Sequence, residues 1–357
     1  MSRNLLPLSV SAALLAGAAS AEAPRVAVDI APVHSLVARV MEGVGTPDLI
    51  VQPGASPHEY SLRPSEAAAL QDADIVIWLG EDMTPWMAGA VETLAGDAAV
   101  TTLLEAEGTI KLGFRESALF EAHDHGDAAH AHDDHGTDHD HEDHGHSEDH
   151  EHDHEHEHDH DHDHDHEHHG HEDDHAHGEH GGHDHAHGAH DPHAWLSPEN
   201  AATWLNLIAA QLSAADPANA GTYFANAAAA RADLDALSAE IAGILEPVRG
   251  GRFIVFHDAY QYFEDAFDFP ASGAITLSDA TDPSPARIAE IQARVAEEGI
   301  DCVLSEPQFD PGIVATVMDG TAAGTAVLDP LGSDLAPGPE LYPQMMRNLA
   351  TSLAACL

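Results

Sequence analysis

The sequence predicts an α/β protein: two lobes of parallel βα units joined by one long helix. Three observations predict it. Short apolar runs alternate with helix-length segments over residues 26–103, and the same alternation resumes at residue 253 and runs to 354. Between the two halves lies an alanine-rich segment of about 30 residues, which at about 1.5 Å per residue makes a rod of about 45 Å. Strands separated by helices need crossover connections, and these give parallel pairing.

In the first half, residues 26–30 read as a buried strand and 34–41 as the helix that follows. Residues 49–51 form a second strand, ended by Pro53-Gly54, and a helix begins at Ser65. Residues 75–79 and 100–103 read as strands flanking a helix at 85–94. Order then breaks off and returns at Asp191. Ser197-Pro198 supplies an N-cap followed by an N1 proline, opening a helix over 200–214. Asp216-Pro217 repeats the start signal, and the long helix runs to Leu245, stopped by Pro247 and Gly250-Gly251. In the second half, residues 253–256, 302–304 and 325–328 read as strands, and 285–298, 312–318 and 341–354 as helices.

The interruption is residues 121–190, which hold 28 of the 32 histidines and 25 acidic residues but no lysine or arginine. So polar a segment cannot bury enough surface to offset chain ordering and reads as disordered. Imidazoles beside carboxylates bind borderline divalent metals such as zinc. The alternating run His152, His154, His156, His158, His160, His162, His164 and His166 is the strongest candidate for such auxiliary binding. A formal H-E-x-x-H match at His154–His158 is expected by chance in this pattern, and no apolar helix face supports it.

The net charge of −51, still about −26 without the tract, argues against nucleic acid or an anionic lipid surface as partner. It suits an exported protein that stays monomeric. Arg3, the apolar stretch 5–18 and Ala19-Ser20-Ala21 form a signal-peptide pattern, which makes Glu22 the first mature residue. The domain reading is a signal peptide at 1–21, an N-terminal lobe at 22–215 containing the tract, a linker helix at 216–248 and a C-terminal lobe at 249–357. Two cysteines in an exported chain, Cys302 and Cys356, favour a disulfide tying a strand to the C-terminus.

The histidines outside the tract are His34, His58, His193 and His257. His257 and Asp329 directly follow apolar strands, His58 lies a few residues beyond one, and His193 precedes a capped helix. Ligands of open parallel sheets bind beyond the carboxyl ends of the strands. Three imidazoles and one carboxylate complete a tetrahedral site that suits zinc better than manganese or calcium. His34, at the start of a helix, reads as a helix N-terminal or cleft-lining residue instead.

Five stretches carry a resemblance: 54–65 (GASPHEYSLRPS), 191–198 (DPHAWLSP), 256–260 (FHDAY), 305–309 (SEPQF) and 328–332 (LDPLG). In this order they resemble the zinc-binding periplasmic solute-binding proteins of ABC importers, whose two lobes are joined by a long rigid helix. The resemblance spans essentially the whole mature chain. It implies His58, His193 and His257 as zinc ligands, with Asp329 at or near the fourth corner, in a cleft between the lobes. It also implies the Cys302–Cys356 disulfide, a His-rich loop at the tract's position, zinc(II) as transported ligand, and a membrane permease as partner. A periplasmic zinc chaperone is a further partner of such systems, and no catalytic residue is implied. Some zinc members carry Glu immediately before the first histidine. Here Pro57 stands there, so Asp329 or a water completes the shell. Two other functions remain open at this level: an extracytoplasmic zinc buffer, for which the tract alone suffices, and a zinc hydrolase using Asp329 or Glu306 as base.

Overall fold

The computed structural model describes residues 23–115, 117, 120, 190–277 and 283–357. The signal-peptide segment and the histidines 152–166 lie outside these residues, as does most of the tract.

Each half is built on a four-stranded parallel sheet. The first contains β1 (Val26–Val28), β2 (Asp48–Leu49), β3 (Ile75–Trp78) and β4 (Ala99–Thr102), in the order β2-β1-β3-β4. The second contains β5 (Phe253–His257), β6 (Gly273–Thr276), β7 (Cys302–Ser305) and β8 (Gly324–Val327), in the order β6-β5-β7-β8. The two orders are the same pattern, in which the chain starts on an inner strand, steps to one edge and returns across to the other. The strand order therefore reverses once in each sheet, beside β1 and β3 in the first and beside β5 and β7 in the second. Such switch points open a crevice at the strands' carboxyl ends.

The central strands β3, β5 and β7 are almost wholly buried, which is why their sequences are unbroken apolar runs. Helices α1 (Ala31–Val40), α2 (Pro64–Asp72), α3 (Pro85–Leu94) and α4 (Pro198–Ala215) accompany the first sheet. Then come α5 (Ala220–Leu245), α6 (Gln261–Phe267), α7 (Pro285–Glu298), α8 (Pro311–Met318) and α9 (Leu341–Cys356). Among the described residues, no helix is long and apolar enough to cross a membrane.

Helix α5 has 26 residues and spans about 39 Å. It is not a bare rod. Tyr223, Ala227, Ala230, Leu234, Leu237, Ile241 and Leu245 recur at three- and four-residue intervals and are buried against α1, α4 and α9. They belong to one apolar core that includes Val28 and Ile77 of the first sheet and Phe253 and Leu304 of the second. Arg39–Asp233 fastens α5 to α1, and Arg347–Glu240 fastens it to α9. The Cys302–Cys356 disulfide joins β7 to the end of α9 across a Cα separation of 5.8 Å.

Two elements have no counterpart in the sequence reading, α6 and β6. Seven residues make two turns, too few for a 3.6-residue period to show, and α6 ends at Asp268 in the left-handed region (φ 48°). The run 49–51 behaves as the sequence predicts, although only Asp48–Leu49 is regular strand. The Ile50 and Val51 N–H groups continue the ladder to Val28 and Asp29.

Candidate metal centre

Three of the four histidines outside the tract line one cavity. His257 is the last residue of β5, at the switch point of the second sheet. Glu306 follows β7 across that switch point and closes it: its Oε1 lies 2.7 Å from His257 Nδ1 and accepts the His257 backbone N–H at 3.3 Å. His193 sits in the Asp191-Pro192-His193 turn leading into α4, where the Ser197 hydroxyl accepts the Asn200 N–H. Asp191 Oδ1 accepts from both the His193 backbone N–H (2.9 Å) and Nδ1 (2.7 Å). His58 lies on the loop after β2. The Trp86 indole N–H donates to the Pro57 carbonyl at 2.8 Å, and Glu66 closes the loop by accepting from Tyr60 Oη and the Arg63 N–H.

When ionised, a carboxylate only accepts, so Asp191 and Glu306 place a proton on each Nδ1, and in the neutral ring Nε2 is then the nitrogen that can ligate. The His193 and His257 Nε2 atoms are 3.4 Å apart. Two neutral rings with both Nε2 lone pairs at that separation repel unless a proton or a metal ion lies between them. Two nitrogens bound at about 2.05 Å to one tetrahedral ion stand about 3.4 Å apart. The His58 ring is edge-on to His193, with centroids 5.5 Å apart, and the His193 and His257 centroids are 5.2 Å apart. The cavity holds about 20 Å³, room for one ion or one water, and Met83, Trp195, Phe309 and Leu331 form its apolar wall. Among the described residues, no three His, Cys, Asp or Glu side chains are already closed around a single point. The three histidines line the same cavity without being closed around one point.

Burial pushes the Asp191 carboxyl up to about 7, against the pull of the His193 N–H and of Arg115. Asp258, beside His257, is likewise raised to about 7 by burial, with Arg115 opposing. The tyrosine Tyr260 is raised far above its usual range by burial beside Glu306 and Asp329.

Asp329 is not brought to this cavity. It follows β8, but the turn after it takes up its oxygens: Oδ1 accepts from the Leu331 and Gly332 N–H groups at 3.0 Å, and Oδ2 from the Ser333 N–H at 2.5 Å. It faces a neighbouring depression with Pro307 and Met345. His34 does not line this cavity, although cleft-lining is one of its two sequence readings: its Nε2 is on the Pro47 carbonyl, and burial lowers its pKa. The sequence reading missed the orienting roles of Asp191 and Glu306. A signal for Asp191 exists in the Asp-x-His spacing, but Glu306 lies 49 residues from its histidine.

The chain matches the family model described as ZnuA, zinc-uptake complex component A periplasmic, over residues 26–356. It belongs to that family. It is 45% identical to the high-affinity zinc uptake system protein ZnuA of Brucella abortus (strain 2308), with 99% of both chains covered. It is 42% identical to the protein of the same name from Paracoccus denitrificans (strain Pd 1222), over 95% of this chain and 93% of that one. A solved structure described as a crystal structure of ZnuA matches with a TM-score of 0.66 at 20% identity, covering 94% of this chain and 99% of the other. At that identity the match shows the fold, and it is the two-lobed α/β fold described above.

Proposed function

We propose that the protein captures zinc(II) in the periplasm on His58, His193 and His257 and delivers it to the membrane permease of an ABC importer. Membership of a zinc-uptake family gives the setting. The observation that carries the assignment to residues is the 3.4 Å separation of two Nε2 atoms whose Nδ1 partners are both carboxylates. In this reading a water takes the fourth position, because Asp329 ligates only by giving up its bonds to the turn. Binding rather than catalysis fits the cavity, because the carboxylate lining it, Glu306, is committed to an imidazole.

The remaining features extend this reading. Residues 1–21 direct export and are removed. The mature chain acts as a monomer, with the two lobes braced by α5. The tract gathers zinc, from the medium or from a periplasmic zinc chaperone, and passes it to the fixed site. The test is a zinc titration against a competing chelator for wild type and for His58→Ala, His193→Ala and His257→Ala. Each variant should lose most of the tight binding, since a four-coordinate site loses an inner bond. Wild-type affinity in all three overturns the assignment.

A further inference from the structure

Behind the cavity, the chain that leaves the first sheet meets the helix that follows His257, and the half-buried Arg115 guanidinium joins them. Arg115 donates from Nη1 to Asp258 Oδ1 (2.8 Å) and Glu264 Oε1 (3.2 Å), and from Nη2 to Glu264 Oε2 (2.7 Å). Its guanidinium lies 3.9 Å from the Phe120 ring centroid. The side chains of Arg115, Asp258 and Glu264 are 19%, 6% and 4% exposed. Asp258 is the residue after His257, and Glu264 lies on α6, where its Oε2 also accepts the Ala271 N–H. Beside this cluster, Tyr262 Oη accepts the Leu112 N–H (2.9 Å) and donates to the Asp191 carbonyl (2.8 Å). The Asp191 N–H in turn donates to the Leu112 carbonyl at 2.9 Å.

Segment 112–115 therefore touches both sides of the centre. Through Asp258 it reaches the residue next to His257, and through Asp191 it reaches the carboxylate that orients His193. Two buried carboxylates share one guanidinium, and its removal leaves them close together without a counter-charge. They then repel each other, and the loop after β5 and α6 lose their ionic tie to segment 112–115. Loosening there frees the end of β5, and with it His257, from its spacing to His193.

We propose that Arg115 is a positioning residue for zinc capture: it clasps segment 112–115 to α6 and so holds His193 and His257 at the spacing one ion requires. The inference rests on the reading that these histidines bind the ion. Arg115 touches neither the cavity nor its mouth, so its loss acts on how long zinc stays rather than on how it enters.

The experiment uses the full chain loaded with one equivalent of zinc. Arg115→Met keeps the stem without the charge, and Arg115→Lys keeps the charge without the two-pronged geometry. Zinc release is followed by stopped flow into excess chelator, and thermal unfolding is measured with and without zinc. In Arg115→Met, release should accelerate on the order of tenfold, as for other groups that support metal ligands. Association should stay within about twofold, and Arg115→Lys should fall between the two. The rise in Tm on zinc binding should shrink. If Tm falls equally with and without zinc while the release rate is unchanged, Arg115 is merely structural and the proposal is overturned. Should Arg115→Met fail to fold, Glu264→Gln gives the same readout: faster release supports the clasp, and wild-type release overturns it. His257→Ala separates the two claims. If it loses zinc while the Arg115 variants do not, the clasp alone fails; if it binds normally, the site itself is wrong.

Discussion

Glu306→Gln tests whether the cavity is prepared by the carboxylates behind its histidines. The Glu306 and His257 side chains are 1% and 7% exposed, and their contact is 2.7 Å. The carboxylate fixes the His257 proton on Nδ1 and holds the ring in place. Glutamine has the same shape but no charge, and its amide can donate to Nδ1, which turns the lone pair away from the cavity. Partners of this kind contribute about 10–100-fold to metal affinity, or about 1.4–2.7 kcal/mol. Because both members are buried and no solvent screens them, we expect the upper half of that range, about 30-fold or more. Competition titration at neutral pH gives the affinity, and thermal unfolding without zinc shows whether the fold is intact. An intact variant that binds zinc within about threefold of wild type would refute the argument, since that falls below the smallest effect expected of such a partner.

Asp329→Ala should weaken zinc binding less than any histidine variant but destabilise the protein by about 1–2 kcal/mol, because three backbone N–H groups lose their acceptor. A zinc defect as large as that of His257→Ala would put Asp329 in the shell. Zinc affinity should fall as pH drops from about 8 to about 5.5, because each imidazole must be neutral to ligate. Asp191, raised to about 7, also takes up a proton in this interval and then supports His193 less well. A flat affinity in titrations across the range contradicts this. Asp29 gives a stability signal away from the histidines: burial lifts it from 3.8 to about 7, against N–H bonds from Leu79 and Ile30. Between those values the folded chain keeps a proton that the unfolded chain has released. The contribution is therefore full below about pH 4 and is lost as pH rises through about 7. Asp29→Asn does not titrate. Wild-type stability relative to it should fall by about 2–3 kcal/mol between about pH 5 and about pH 8 in urea unfolding, and parallel profiles would contradict that.

Much of the fold was legible because its central strands are buried on both faces. Residues 75–79 and 253–256 could only be short apolar runs, and the alternation around them left few topologies. Helix α6 was not legible: its aromatic residues serve tertiary contacts, Tyr262 to segment 112–115 and Phe263 to the core, rather than a helical stripe. The site was legible to the extent that strand ends define it. That rule picked out His257, which lines the cavity, and Asp329, whose oxygens accept from the Asp329-to-Ser333 turn. The pairing of Glu306 with His257 and of Arg115 with Asp258 escaped because the partners lie 49 and 143 residues apart, a meeting that only the folded chain creates.

The central claim is that one zinc ion is held by His193 and His257 through Nε2, together with His58. X-ray absorption at the zinc edge, on a variant lacking residues 123–185 and loaded with one equivalent, tests it most directly. The account predicts three imidazole nitrogens and one oxygen at about 2.0–2.1 Å. A shell with fewer than two imidazoles, or no tight binding once those residues are gone, would contradict it.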